Sequence, residues 1–243
     1  MNKIAISMGD PSGIGPEIIL KTFQSEEAKN REMIVVGDAS ILEVVQEQAY
    51  DEKLEIRSIS SIEEACFDEG IVNVWDLKLV SPQEITPGLV SAAAGNAAFQ
   101  YVVEAIRLAQ QGVVSSVVTA PLNKEAIHLA GHNFAGHTEI FATYTETKDY
   151  AMLLYDEKLS VIHVSTHISL LDAIQTLSKE RVERVIALAE ENMTRILGRK
   201  PRIAVAGLNP HAGENGLFGR EEIDTIIPAI KKMKAEGIDV SGP

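Results

Sequence analysis

Short apolar runs, each closed by a polar turn and followed by a helical pattern, recur along this chain and leave few architectures open to it. Ile4 to Met8, Met33 to Asp38, Ile71 to Trp75, Val113 to Val118, Val161 to His167 and Arg202 to Gly207 all read as strands. Helical periodicity fills the intervals. It is clearest from Ser178 to Leu197, where Val182, Val185, Ile186, Leu188 and Ala189 line an apolar side and Lys179, Glu180 and Glu183 a wet one. Such alternation predicts an α/β fold built on near-continuously apolar strands. Asp156-Glu157-Lys158 separates Met152–Tyr155 from Leu159–His167, so a hairpin is expected there, and with it mixed sheets. Asp38 or Ser40 suits the cap of a helix from Ala39 to Gln48. Gly88 to Gln111 reads as one long helix, whose alanines at 92, 93, 94, 97 and 98 imply a close helix neighbour. Leu77 to Pro87 reads as an exposed arm, where a domain change or a dimer contact fits.

Composition narrows the function. The 243 residues carry a formal net charge of −13, which argues against nucleic acid or an anionic membrane as partner. A single cysteine, Cys66, excludes an intramolecular disulfide framework and suits a reducing cytoplasm. No apolar run approaches the length needed to span a bilayer, and Lys3 to Met8 is too short for a signal-peptide core, so a cytoplasmic location is expected.

Chemistry concentrates at strand ends, where ligands bind in open α/β sheets. Gly9-Asp10-Pro11-Ser12-Gly13-Ile14-Gly15-Pro16-Glu17 follows the first strand and opens a helix, a natural cradle for an anion or cofactor, although it has neither the GxGxxG spacing nor a P-loop lysine. Lys124 closes Thr119-Ala120-Pro121-Leu122-Asn123 at a helix start, where a cation opposes the macrodipole unless a ligand or carboxylate compensates. Gly136-His137-Thr138-Glu139 brings an imidazole, a hydroxyl and free amides together in a way that suits a phosphate. In Val161 to His167, strand period puts His163, Ser165 and His167 on one face; His163 reads as satisfied by its neighbours and His167, at the exit, as a ligand-binding group. His211 again lies beyond a strand, in Leu208-Asn209-Pro210-His211-Ala212-Gly213-Glu214. His128 and His132 are four apart, but Gly131 interrupts the helix that would join them, and they read as structural. His137, His167 and His211 are all expected on the carboxyl edge; two imidazoles are too few for a tight catalytic metal, which normally has three protein ligands, so a third ligand would have to come from elsewhere.

Taken in order, these motifs resemble the PdxA family, the 4-hydroxythreonine-4-phosphate dehydrogenases, with a sister group acting on D-threonate or D-erythronate 4-phosphate. The residues that carry the resemblance are Gly9 to Glu17, Thr119 to Lys124, Gly136 to Glu139, Ser165-Thr166-His167 and Leu208 to Glu214. The first also resembles the Gly-Asp-Gly-Ile-Gly-Pro-Glu turn of isocitrate and isopropylmalate dehydrogenases, which share the fold. The resemblance implies two α/β/α domains with mixed sheets, residues 1–120 with 200–243 in the first and 121–199 in the second, and a homodimer with its site at the interface. It implies that His167 and His211 are metal ligands, that His137 and Thr138 bind substrate, and that the turn around Gly13, Ile14 and Gly15 holds the nicotinamide end of NAD or NADP. Family members run beyond the position matching Pro243 by roughly half a typical domain; the resemblance puts a third metal histidine there and makes the C-terminal part of the family fold absent from this chain.

The implied reaction is oxidation of 4-phosphohydroxy-L-threonine at its 3-hydroxyl, with loss of carbon dioxide, to 3-amino-2-oxopropyl phosphate, a step of pyridoxal phosphate biosynthesis. A divalent metal, zinc, magnesium or cobalt, would act as Lewis acid. Lys124, on placement, is the candidate for proton transfer. The alternatives are the sugar-acid substrates of the sister group and, from another class, a truncated, inactive, metal-free binding protein.

Overall fold

The computed structural model describes residues 3–49 and 53–243, which divide into two compact units, Met1–Thr147 and Lys148–Pro243. This contiguous division differs from the discontinuous one expected from the family resemblance.

In the first unit, β1 (Ile4–Ser7), β2 (Met33–Gly37), β3 (Glu55–Ile59), β4 (Ile71–Asp76) and β5 (Ser116–Thr119) form one sheet in the order β3-β4-β2-β1-β5. Every pairing is parallel. β2 is buried at all five positions, as its unbroken apolar run requires. Helices α1 (Gly15–Phe23) and α2 (Ala39–Ala49) join the early strands, and α3 (Ala92–Gln110) carries β4 to β5. The chain steps from β1 to β2 in one direction and from β4 to β5 in the other, so right-handed crossovers put α1 and α3 on opposite faces. The reversal leaves the carboxyl ends of β1 and β5 side by side, which is the topological switch point of such a sheet.

α3 begins at Ala92, later than the Gly88 start expected, because Ser91 caps it: its hydroxyl accepts from Ala94 N at 3.2 Å. The alanine-rich turns bury Ala94, Ala97 and Ala98. A methyl group on Gly95 would overlap the Ala126 carbonyl of α4 (Lys124–Leu129), which accounts for the small residues. Phe99, Val102 and Ile106 of α3 also pack on Ile127 and on Ile140 of α5 (His137–Tyr144). His132 stacks on Phe99 with ring centroids 3.7 Å apart and meets Asn96 Oδ1 at 3.0 Å, so it is structural. Asp38 does not cap α2. Its carboxylate accepts from Leu79 N, Val80 N and the buried Tyr101 hydroxyl, tying the arm after β4 to α3, while Ala39 N donates to Asp76.

In the second unit, β6 (Leu153–Leu154) and β7 (Val161–Ile162) form the expected antiparallel hairpin, and β8 (Ile203–Ala204) pairs in parallel with β9 (Val240–Ser241). The long strand read from Val161 to His167 shrinks to two residues plus one further bond, His163 N to Met152 O at 3.0 Å. Among the described residues its only sheet neighbour is the short β6, and Val161 is exposed, so the sequence pattern is not matched by two-sided pairing. α6 (Leu170–Gln175) follows, then α7 (Lys179–Leu197), which the Ser178 hydroxyl caps by accepting from Arg181 N. Val182 and Ile186 of α7 pack on Ala229, Ile230 and Met233 of α8 (Ile227–Ala235), with Val240 beneath. Glu183, expected on the wet side, is buried and paired with Lys232 at 2.7 Å. No helix among the described residues is long and apolar enough to cross a membrane.

Candidate active site

Two loops meet at the switch point. After β1, the chain turns through Gly9 and enters α1 with Pro16 in its first turn, where the missing amide hydrogen costs nothing. After β5 it runs through Ala120 and Pro121 to Asn123, whose side chain caps α4 by accepting from Ala126 N at 3.0 Å. The loops are bonded together: Asp10 N donates to the Pro121 carbonyl at 2.9 Å, and Ala120 N to the Ser7 carbonyl at 3.0 Å. Their contact is closer than side chains permit. A Cβ on Gly9, which has φ +73°, would overlap the Pro121 carbonyl oxygen, and one on Gly15 the Met8 carbonyl oxygen. Gly13 and Ile14 are exposed at the rim of this turn, with Ile14 among the large apolar side chains open to solvent.

Polar groups under the turn are tightly held or orphaned. The Asp10 carboxylate is buried and accepts from Ser12 N at 2.8 Å. Burial pushes its pKa up, and the Ser12 bond offsets part of that. The hydroxyls of Ser7 and Ser12 are buried without a partner among the described residues.

Lys124 begins α4 and is exposed. It converges with Glu139 on Gly136: a methyl group there would lie 3.9 Å from Lys124 Cε and 3.7 Å from Glu139 Oε2. His137 and Thr138 open α5 and are half-buried. His137 Nε2 and Glu139 Oε2 are both buried with no partner among the described residues. Burial lowers the His137 pKa, so the ring is neutral at physiological pH and offers one donor and one acceptor.

The second unit carries His163, His167 and His211. His167 lies between β7 and α6, exposed, with φ +57°. His163 differs from expectation: its Nδ1 is buried and finds no partner among the described residues. Arg181, in the first turn of α7, ties this stretch down by donating to the carbonyls of Val164 at 2.8 Å and Tyr150 at 3.0 Å. His211 lies in a tight 3-10 segment, Pro210–Gly216, whose residues His211, Ala212, Gly213, Glu214 and Asn215 all have positive φ. For the four non-glycine members this left-handed backbone costs about 1–2 kcal/mol each. Glu222 sits beneath the segment, 1% exposed, and accepts from Leu208 N and Asn209 N at 2.7 Å and from Asn209 Nδ2 at 2.9 Å. Burial alone would raise its pKa, but those bonds outweigh burial and hold it below the ordinary value.

A metal is the part of the expected site that fits least completely. Imidazole is a suitable donor, but no three His, Cys, Asp or Glu side chains come together as a metal site among the described residues. A groove between the hairpin, α7 and β8 is lined mainly by apolar side chains such as Val161, Ile162, Val182 and Ile203, and by no histidine.

Sequence reasoning passed over Asp10, Arg181 and Glu222. Asp10 stood inside a named motif, while Arg181 and Glu222 read as ordinary helix-start charges with no local mark of their reach.

Comparison with known proteins completes the assignment. Residues 29–243 match the family model described as pyridoxal phosphate biosynthetic protein PdxA. D-threonate 4-phosphate dehydrogenase of Salmonella typhimurium is 50% identical over 240 residues, which cover 99% of this chain and 73% of the relative. The 4-hydroxythreonine-4-phosphate dehydrogenase of Beijerinckia indica is 44% identical, with 99% and 70% covered. The crystal structure of 4-hydroxythreonine-4-phosphate dehydrogenase from Klebsiella pneumoniae superposes with a TM-score of 0.91 at 48% identity, covering all of this chain and 75% of that one. With the family's motifs in order and similarity spanning nearly its whole length, the chain belongs to the PdxA family of dehydrogenases.

Proposed function

We propose that this protein oxidises a 4-phosphorylated hydroxy acid with NAD or NADP, and that its substrate is D-threonate 4-phosphate. The substrate choice is supported by the 50% identical Salmonella typhimurium relative, whose name specifies it. The 44% identical Beijerinckia indica relative favours a second reading, 4-phosphohydroxy-L-threonine in pyridoxal phosphate biosynthesis. The two acids differ at carbon 2, hydroxyl in one and amine in the other, so the oxidation at carbon 3 is common to both. The nicotinamide, when bound, supplies the hydride acceptor.

The observation that carries the phosphate-binding part is the buried His137 Nε2 at the start of α5, which has no partner among the described residues, with Lys124 brought near by Gly136. In this reading His137 and Thr138 hold the substrate, adding fixed donors to the positive end of a helix. Lys124, on its placement at the start of α4, is the group for transfer of the 3-hydroxyl proton as hydride leaves carbon 3. The resulting 3-oxo acid bears its carboxylate β to the new carbonyl and loses carbon dioxide, the enolate taking a proton back. The turn at Gly13, Ile14 and Gly15 holds the cofactor, where the backbone is open to close approach.

His167 and His211 are proposed as two ligands of a divalent metal such as zinc, magnesium or cobalt, which when bound supplies Lewis-acid chemistry at the hydroxyl. A homodimer is part of the same proposal. It is supported by Leu170 at 85% exposure, with Leu171, Leu154 and Leu159 also open to solvent on α6 and the hairpin. The reaction belongs in the cytoplasm, with its soluble cofactor.

A paired assay tests the proposal: reduced nicotinamide formed from D-threonate 4-phosphate and from 4-phosphohydroxy-L-threonine, under otherwise equal conditions. Higher kcat/KM with the threonate supports the first reading, and the reverse order the second. Tight binding of either acid without turnover would replace both with the binding-protein alternative.

A further inference from the structure

The loop that bears His211 is held against its own conformational preference, and its backbone is anchored from outside. Glu222 lies at the start of the π-helical turn Glu222–Ile226 and is buried, and among the described residues its hydrogen-bond partners are amide N–H groups rather than a cation. Both oxygens are used, one on the Leu208 and Asn209 amides just before the left-handed run and the other on the Asn209 side chain. Glu221 takes a second bond from Asn209 Nδ2 at 2.7 Å. The fit is close on the far side as well: a Cβ on Gly213 would lie 2.8 Å from Glu222 Oε2, and one on Gly207 3.4 Å from Oε1. The carboxylate therefore touches the loop both before and within the strained segment.

We propose that Glu222 is the positioning residue for His211, holding the Leu208–Asn209 amides so that the following residues stay left-handed and the imidazole keeps one fixed direction. The inference rests on the reading of His211 as a ligand-binding group. A buried acceptor of three N–H bonds compensates a backbone that four non-glycine residues would otherwise leave. A glutamine at 222 is a poor substitute: it keeps one acceptor but turns an NH2 toward the Asn209 amide donor.

The test uses Glu222→Gln, Glu222→Ala and His211→Ala in the full chain, with kcat, the KM for nicotinamide cofactor and the ring signals of labelled histidine as readouts. Expected are a fall in kcat of about tenfold or more for both Glu222 variants, an unchanged cofactor KM, and a shifted, broadened His211 signal. A second change, Ala212→Gly, is expected to restore part of the lost kcat, because glycine adopts the left-handed backbone freely; a purely structural Glu222 elsewhere in the fold gives no such rescue. If His211→Ala keeps full activity, the reading of His211 fails; if it is inactive while both Glu222 variants match the parent, the positioning role fails alone. Should the Glu222 variants not fold, hydrogen exchange in the parent decides: slow exchange at Leu208 and Asn209 supports the clamp, and exchange at the rate of an open loop overturns it.

Discussion

The turn after β1 and the loop after β8 both carry a strand toward a helix through a cramped bend, and they meet that demand in opposite ways. In the first, glycine stands where a side chain has no room: Gly9 takes φ +73° against the Pro121 carbonyl, and Gly15 lies against that of Met8. In the second, His211, Ala212, Glu214 and Asn215 take the left-handed backbone although all four carry a Cβ. The first turn avoids backbone strain by composition, and its cost lies instead in a buried Asp10 carboxyl. The second accepts strain and offsets it with bonds to Glu222. If His211 binds a ligand as proposed, strain that glycine would relieve is retained there because a side chain has a use, which is how an observed outlier leads to a functional hypothesis.

Three substitutions break or sharpen this contrast. The largest effect is expected from Gly9→Ala, which forces both a positive φ and a backbone overlap; a loss of more than about 3 kcal/mol in denaturant unfolding follows. A loss below about 1 kcal/mol would show that the turn has slack and that its glycines are not needed. In the other loop the sign reverses. Ala212→Gly removes about 1–2 kcal/mol of left-handed strain and adds about 0.5–1 kcal/mol of unfolded-chain entropy, so a net gain of roughly 0.5 kcal/mol is expected. A loss of stability there would mean that the Ala212 methyl contributes more by packing than its backbone costs.

The smallest effect concerns Asp10. Burial raises its folded-state pKa above the ordinary value of 3.8, so the folded form binds the proton more tightly than the unfolded chain. Its contribution to stability therefore falls as pH rises through 3.8 and levels off above the folded value. Asp10→Asn keeps an acceptor for Ser12 N and removes this penalty. Its melting temperature is expected to exceed the parent's at neutral pH, with the difference vanishing below pH 3.8. A constant difference at all pH values would refute the titration account.

Much of the scaffold was legible because its signals are local. The unbroken apolar run at Met33–Gly37 became a fully buried strand, and Ser178 capped α7 within one residue of the expected start. The hairpin around Asp156 formed as well. Misreadings came where a residue's partner lies far along the chain. Asp38 looks like a helix cap, yet it meets Tyr101, 63 residues on. His163 looked satisfied in a long strand, but β7 ends after Ile162, and its sheet neighbour among the described residues, β6, is as short as itself.

The amino-acid order determined by itself the alternation of strands and helices, that polar turns follow the strands, and which family's motifs the chain carries, because hydrophobic period, capping and glycine spacing act over a few residues. Only the tertiary structure decided that the loops after β1 and β5 bond to each other, that Lys124 and Glu139 converge on Gly136, and that Glu222 reaches under the His211 loop. Those meetings depend on sheet order and on burial, and a buried polar group takes whichever partner the fold brings within reach, however distant it is along the chain.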